Sequence, residues 1–226
     1  MKLAIGNKNY SSWSMRPWVL MRALGLPFEE VMLRFDFRAG SPFRQAVAQI
    51  SPAGKVPVLV LDDGFTVWDT LAITETLAER FPAAGVWPAD ANARARARSL
   101  CAEMHSGFGA LRNHCPMNIE AQLPEVGARV WAEHEAVRCD VARIEQLWSE
   151  ALEASGGPFL FGAFGAADAF YAPVVMRLLT YALPMSDTTR AYVERVRTSP
   201  GVAAWIAEAL TERDFVTEDE PYRPAP

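Results

Sequence analysis

Residues 56–81, "VPVLVLDDGFTVWDTLAITETLAERF", carry three grammatical units in a row. "VPVLV" and "FTVW" are short β-branched, apolar runs, and Asp63-Gly64 between them is a strong signal for a tight hairpin turn. "TLAITETLAERF" then switches to the spacing of an amphipathic helix. Pro57 lacks an N–H to give to a sheet ladder and so belongs at the start of a strand. Working back from this β-β-α end, "KLAI" (2–5) and "EEVMLRF" (29–35) read as further strands. "SMRPWVLMRALG" (14–25) reads as a helix stopped by Gly25 with Pro27 beyond, and "SPFRQAVAQIS" (41–51) suits a short one. The order β-α-β-α-β-β-α predicts a small α/β unit with helices packed on a mixed sheet over residues 1–82.

Working forward, "PAAGVWPADAN" (82–92) has linker composition, giving a linker at 83–91, and strand signals then largely disappear. Residues 92–113 and 125–155 read as long helices, with Trp131 and Trp148 as core packing. "AADAFYAPVVMRLLTYAL" reads as a helix bent or started at Pro173, and "TRAYVERVRTSPGVAAWIAEAL" as two shorter ones. The tail "TEDEPYRPAP" is polar and proline-rich, and is expected to be loosely held. Residues 92–226 are thus expected to form an all-α domain.

Composition narrows the function. The 226 residues are half hydrophobic, with a net charge of −5. That balance argues against a nucleic-acid partner, which needs a basic face. Arg94, Arg96 and Arg98 fan around a helix start and read as solvated. The apolar run holding Arg177 is interrupted by that charge and too short to span a membrane. The N-terminal apolar stretch is too short for a secretory signal. Cys101, Cys115 and Cys139 form no CxxC, so reduced thiols and a cytoplasmic location are expected.

Chemistry concentrates in "NYSSWSMRPWV" (9–19), where Ser11, Ser12 and Ser14 gather at a helix mouth. No His lies in residues 1–90 to activate them, and no G-x-S-x-G elbow suggests a hydrolase. Hydroxyls in such a place either cap the helix or donate to an anion; capping is the reading for Ser14, with Pro17 in the first turn. Cys101, His105, His114 and Cys115 match no standard metal-ligand spacing, so no metal is expected.

"YSSWSMRPW", "SPAGKVPVL", "WDTLAITETLAE" and "FGAADAFYAPV", in that order, resemble the glutathione S-transferase family. The first is similar to the zeta class motif S-S-C-S-W-R, with Trp13 in the place of the cysteine. "EMHSGFGALRNHCPMN" (103–118) sets the chain apart as a bacterial branch. The resemblance implies a thioredoxin-like domain followed by a helical domain, glutathione as co-substrate, a small electrophile, and a homodimer. It places Ser11 at the catalytic position, with Ser12 next in line. Trp13, Lys55, Val56, Pro57, Asp69 and Thr70 fall at the glutathione site, and the Val56–Pro57 bond is cis in the family. Asp69-Thr70 replaces the usual acidic-Ser pair, and Gly165 with Asp168 replaces the usual helix-capping pair.

On this reading a serine hydroxyl lowers the ligand's thiol pKa. A shift of about two units requires roughly 2.7 kcal/mol. A charge-assisted hydrogen bond supplies about 1.5–3 kcal/mol and the helix N-terminus about 0.3–1 more. Met104, Phe108 and Leu111, with a second stripe of His105, Phe108 and Arg112, are expected to make one helix roofing the electrophile site. A glutaredoxin-like reductase is disfavoured, since residues 1–100 hold no cysteine for a mixed disulfide. The rival is a non-catalytic binding module on the same fold.

Overall fold

The computed structural model describes residues 1–225. β1 (Lys2–Ile5), β2 (Glu29–Met32), β3 (Val58–Val60) and β4 (Thr66–Trp68) form one sheet in the order β2-β1-β3-β4. β1 and β2 are parallel, joined through α1 (Ser12–Ala23), while β3 runs antiparallel to both β1 and β4. The β3–β4 hairpin closes as expected. Gly64 takes φ +86°, and the Asp63 side chain accepts the Phe65 N–H at 3.0 Å. α2 (Pro42–Ile50) and α3 (Thr70–Arg80) complete the α/β part.

Ten helices are present among the described residues, and two sequence expectations fail in the second half. The 92–113 helix is two: α4 (Ala91–Ser106) and α5 (Gly109–His114). Between them Gly107 is extended and Phe108 turns into the left-handed region at φ +55°. The 125–155 helix is also two, α6 (Pro124–Glu133) and α7 (Glu135–Ser155), broken at His134. α8 (Ala166–Thr180), α9 (Asp187–Thr198) and α10 (Pro200–Ala209) follow.

α8 is buried on nearly every side, as its all-round apolar sequence requires, and packs against α1 and α4. Its N-terminus is held by Asp168, which accepts the N–H groups of Gly165 and Leu160 at 3.0 and 3.1 Å and the Tyr192 hydroxyl at 2.8 Å. Burial outweighs these bonds and pushes the Asp168 carboxyl up to about 6. α10 lies on α1 so closely that a Cβ on Gly201 would stand 2.6 Å from the Val19 carbonyl oxygen. α1 is therefore clamped along its length, with Met15, Trp18, Val19 and Leu20 wholly buried. Trp148 is core, as expected, and Trp131 is only half-buried.

The tail is not loose. A 3-10 turn at Thr217–Asp219 leads to a buried Glu220, and the Tyr222 hydroxyl donates to the His114 carbonyl at 2.8 Å. Among the described residues no helix is long and apolar enough to cross a membrane.

Candidate active site

The loop from β1 delivers three serines to the mouth of α1. Ser11 occupies the N-cap position, yet its side chain caps nothing: it donates to Ser14 Oγ at 2.7 Å. Ser14 Oγ also accepts the Gly6 N–H at 3.2 Å. Ser14 is therefore not a cap, as the sequence suggested, but a buried tie between the third residue of α1 and the end of β1. Ser11 is 6% exposed and Ser12 half-buried. The neighbouring Tyr10 hydroxyl is directed elsewhere, donating to Glu220 Oε1 at 2.7 Å. Burial and Glu220 push its pKa up to about 12.

Two adjoining clefts meet at this mouth. One, of about 440 Å³, is bounded by Lys55, Val56, Pro57, Trp68, Asp69, Thr70 and His105. The Val56–Pro57 bond is cis. Asp69 adopts φ +72°, a backbone conformation rarely held by a non-glycine residue outside functional corners. One of its carboxylate oxygens caps α3 through the Leu71 N–H at 2.8 Å, and the other lies 3.4 Å from His105 Nε2. Thr70 is buried and donates to the Trp13 carbonyl at 3.3 Å, fixing the β4–α3 corner to α1.

The second cleft, about 500 Å³, holds Ser11 and Ser12, an aromatic wall of Phe35, Phe37 and Phe43, and the charged Arg44, Arg177 and Asp219. Gly6 makes room for the Phe35 ring, which a Cβ there would meet at 2.3 Å. Trp13, Lys55, Val56 and Arg112 border both clefts, so the two are lobes of one site.

The site carries unbalanced positive charge. The Arg16 guanidinium is buried 4.0 Å from the Trp13 ring centre, bonded through Nε to the Phe170 carbonyl at 3.0 Å, and its Nη1 has no partner. Arg112 stands 4.9 Å from the same ring. Arg177 donates to the Cys115 carbonyl and, at 3.4 Å, to that of Arg112. None of the three is hydrogen-bonded to a carboxylate among the described residues. Burial, with repulsion from Arg177 and Arg112, lowers Arg16 to about 9. Burial and Arg112 lower Arg177 to about 10. Both remain cationic near neutrality, and a bound anion would relieve their repulsion.

Of the residues expected over the electrophile, His105 and Arg112 reach the site, but Met104 and Phe108 do not. Met104 is wholly buried in the core, and Phe108 packs 6.5 Å from the Tyr171 ring. The break at Gly107 explains Phe108, which lies beyond it, whereas Met104, beside His105 on α4, turns to the core face of that helix. Arg16, Arg177, Asp219 and the phenylalanine wall were missed in the sequence. Arg16 stood inside the quoted motif, and Arg177 was a lone charge in an apolar run, which is itself a signal of use.

His105 lies against Asp69, whereas His114 stacks on His134 at 3.8 Å. Burial raises the Cys101 thiol well above its ordinary value and pushes Cys115 up to about 12. Among the described residues no group of three or more His, Cys, Asp or Glu is placed to hold a metal ion.

Comparison with known proteins agrees with this architecture. The family profile "Glutathione S-transferase, N-terminal domain" matches residues 10–80. Maleylacetoacetate isomerase of Pseudomonas aeruginosa is 31% identical over 149 residues, covering 65% of this chain and 69% of the relative. Glutathione S-transferase 1 of Dianthus caryophyllus is 29% identical over 189 residues, 82% of each chain. Among solved structures, a glutathione transferase homolog from Burkholderia with bound glutathione superposes with a TM-score of 0.71 at 25% identity, covering 93% of this chain and 98% of that one. A sphingomonad glutathione S-transferase complexed with glutathione gives 0.66 at 25% identity, covering 94% and 100%. The chain belongs to the glutathione S-transferase family.

Proposed function

We propose that this chain is a glutathione transferase in which the Ser11 hydroxyl holds glutathione as a thiolate for attack on a small electrophile. The tripeptide lies in the first lobe, held chiefly by side chains and backbone of residues 1–82. Val56 offers its backbone to the cysteinyl unit, Lys55 meets the glycyl carboxylate, and Asp69 with Thr70 meets the glutamyl end. Trp13 forms the wall beside the sulfur. The electrophile enters the second lobe, which Arg112 borders, while His105 faces the first lobe beside Asp69; both are supplied from 92–226. The relatives named as maleylacetoacetate isomerases make glutathione-dependent isomerisation the alternative outcome to conjugation.

One observation carries the mechanism: the chain Gly6 N–H, Ser14 Oγ, Ser11 Oγ at the helix mouth. A serine hydroxyl has one donor and two acceptor sites and rotates to suit its partners. When a sulfur arrives, Ser11 turns its O–H to it and Ser14 turns its own O–H to Ser11. Each bond polarises the next. The thiol proton leaves to solvent, the thiolate attacks, and no base is required. The unpaired charge of Arg16 favours the same ionised state.

A non-catalytic binding module would retain glutathione without turnover, so substitution kinetics separate the two. Ser11→Ala should lose about 10²–10³ in turnover with glutathione binding kept, as for removal of one preorganised donor. Ser14→Ala should lose less, and Ser12→Ala least. A larger loss at Ser12 would move the thiol contact by one residue, and equal, negligible losses at all three would contradict hydroxyl activation. A homodimer is proposed as the working assembly, and the cytoplasm, where its three free cysteines stay reduced, as the compartment.

A further inference from the structure

The four residues that precede Ser11 are all tied to the far end of the chain. Asn7 Nδ2 donates to Asp214 at 2.8 Å, and Glu212 accepts the backbone N–H groups of Lys8 and Asn9 at 3.0 and 3.4 Å. Tyr10 donates to Glu220 Oε1 at 2.7 Å. Glu220 also accepts from Asn118 Nδ2 at 2.8 Å, and Asn118 accepts from Asn9 at 3.0 Å, closing a buried ring around the turn. Arg223 pairs with Glu220. Burial alone would raise the Glu220 carboxyl, but Arg223, Tyr10 and Asn118 together hold it below its ordinary value. The adjacent Asp219 lines the lobe that contains Ser11.

We infer that the C-terminal segment 212–223 is part of the catalytic apparatus, with Glu220 acting through Tyr10 as a positioning residue for the Ser11 hydroxyl. The inference rests on the Ser11 reading above. The backbone of Ser11 is fixed by its own N–H to the Asn7 carbonyl at 2.8 Å, so the whole turn moves as a piece. A hydrogen bond to a thiolate is sensitive to displacement, because donor and acceptor must meet within a few tenths of an ångström. Tail and turn are far apart in sequence, yet the buried carboxylate joins them directly.

The test uses the full chain and three substitutions, read by the thiolate absorbance of bound glutathione and by turnover of an activated aryl chloride. Glu220→Ala should raise the bound thiol pKa by about one unit and, at a pH below both values, lower kcat about tenfold. The KM for glutathione should hold. Glu220→Gln keeps an acceptor oxygen for Tyr10 and should restore most of the loss. Tyr10→Phe keeps the ring and removes only the donor, so it decides the matter if Glu220→Ala fails to fold. In a Ser11→Ala background, Glu220→Ala should add nothing, the signature of two residues acting through one contact. A lowered melting temperature with an unmoved thiol pKa would make Glu220 merely structural and overturn the inference. A full additional loss in the Ser11→Ala background would overturn it too. If Ser11→Ala itself left the thiol pKa unmoved, the Ser11 reading would fall first and separately.

Discussion

Asp219 is a carboxyl in the wall of the lobe that holds Ser11, and burial decides its proton affinity. Desolvation pushes it up to about 6, Glu218 and Glu220 add to the rise, and Arg177 opposes it. The folded value therefore exceeds the unfolded one of about 3.9. The stability this group contributes is fully present below the unfolded value and is lost as pH rises through the folded one. Asp219→Asn should accordingly gain stability relative to the parent as pH rises from about 4 to about 7, measured by denaturant unfolding across that range. A difference that stays constant or shrinks over that range would contradict a buried acid. At this scale local motifs singled out Ser11, Pro57, Asp69 and Thr70, and all four line the two lobes. The sequence was opaque for Arg177 and Asp219, which enter the cleft from α8 and the tail. No local pattern places residues so distant in sequence beside Ser11.

The elements tell a related story. Strands, hairpin and the first three helices were readable because each has local punctuation: Asp63-Gly64 at the hairpin, Gly25 after α1, Ser41 and Pro42 opening α2. The α4–α5 break was signalled as well, by the glycines flanking Phe108 in "SGFGA". The apolar stripe at i, i+4, i+7 points the other way, but it runs through a residue at φ +55°. A Cβ on Gly107 would stand 2.7 Å from the Glu103 carbonyl oxygen, so the turn taken here requires glycine at this position. His134 is different: no glycine or proline adjoins it, and local sequence offers no reason for the break there. The order of the tail is not legible in its composition, which measures local preference, whereas Glu220 is held by Tyr10 and Asn118, 210 and 102 positions away.

For the whole molecule, the arrangement puts an α/β unit, a cleft rich in arginine and a helical array around one helix, α1. Two large hydrophobic side chains remain on its surface at the β3–β4 hairpin, Phe65 at 65% and Trp68 at 43% exposure. In a homodimer this edge is the patch expected to be covered by the second copy. Sedimentation at micromolar concentration should show about twice the 24.9 kDa chain mass, and Phe65→Lys should shift it toward the single chain. A wild-type protein that sediments as one chain would contradict the dimer. The central claim is that a serine hydroxyl, without a base or a metal, holds the sulfur of glutathione as a thiolate. Its most direct test is the pKa of the bound thiol, followed by ultraviolet absorbance, in the wild type and in Ser11→Ala. The account predicts a wild-type value about two units below that of a free thiol, with most of the shift abolished in the variant. A bound thiol that titrates like the free one, or a depressed value that survives Ser11→Ala, would contradict it.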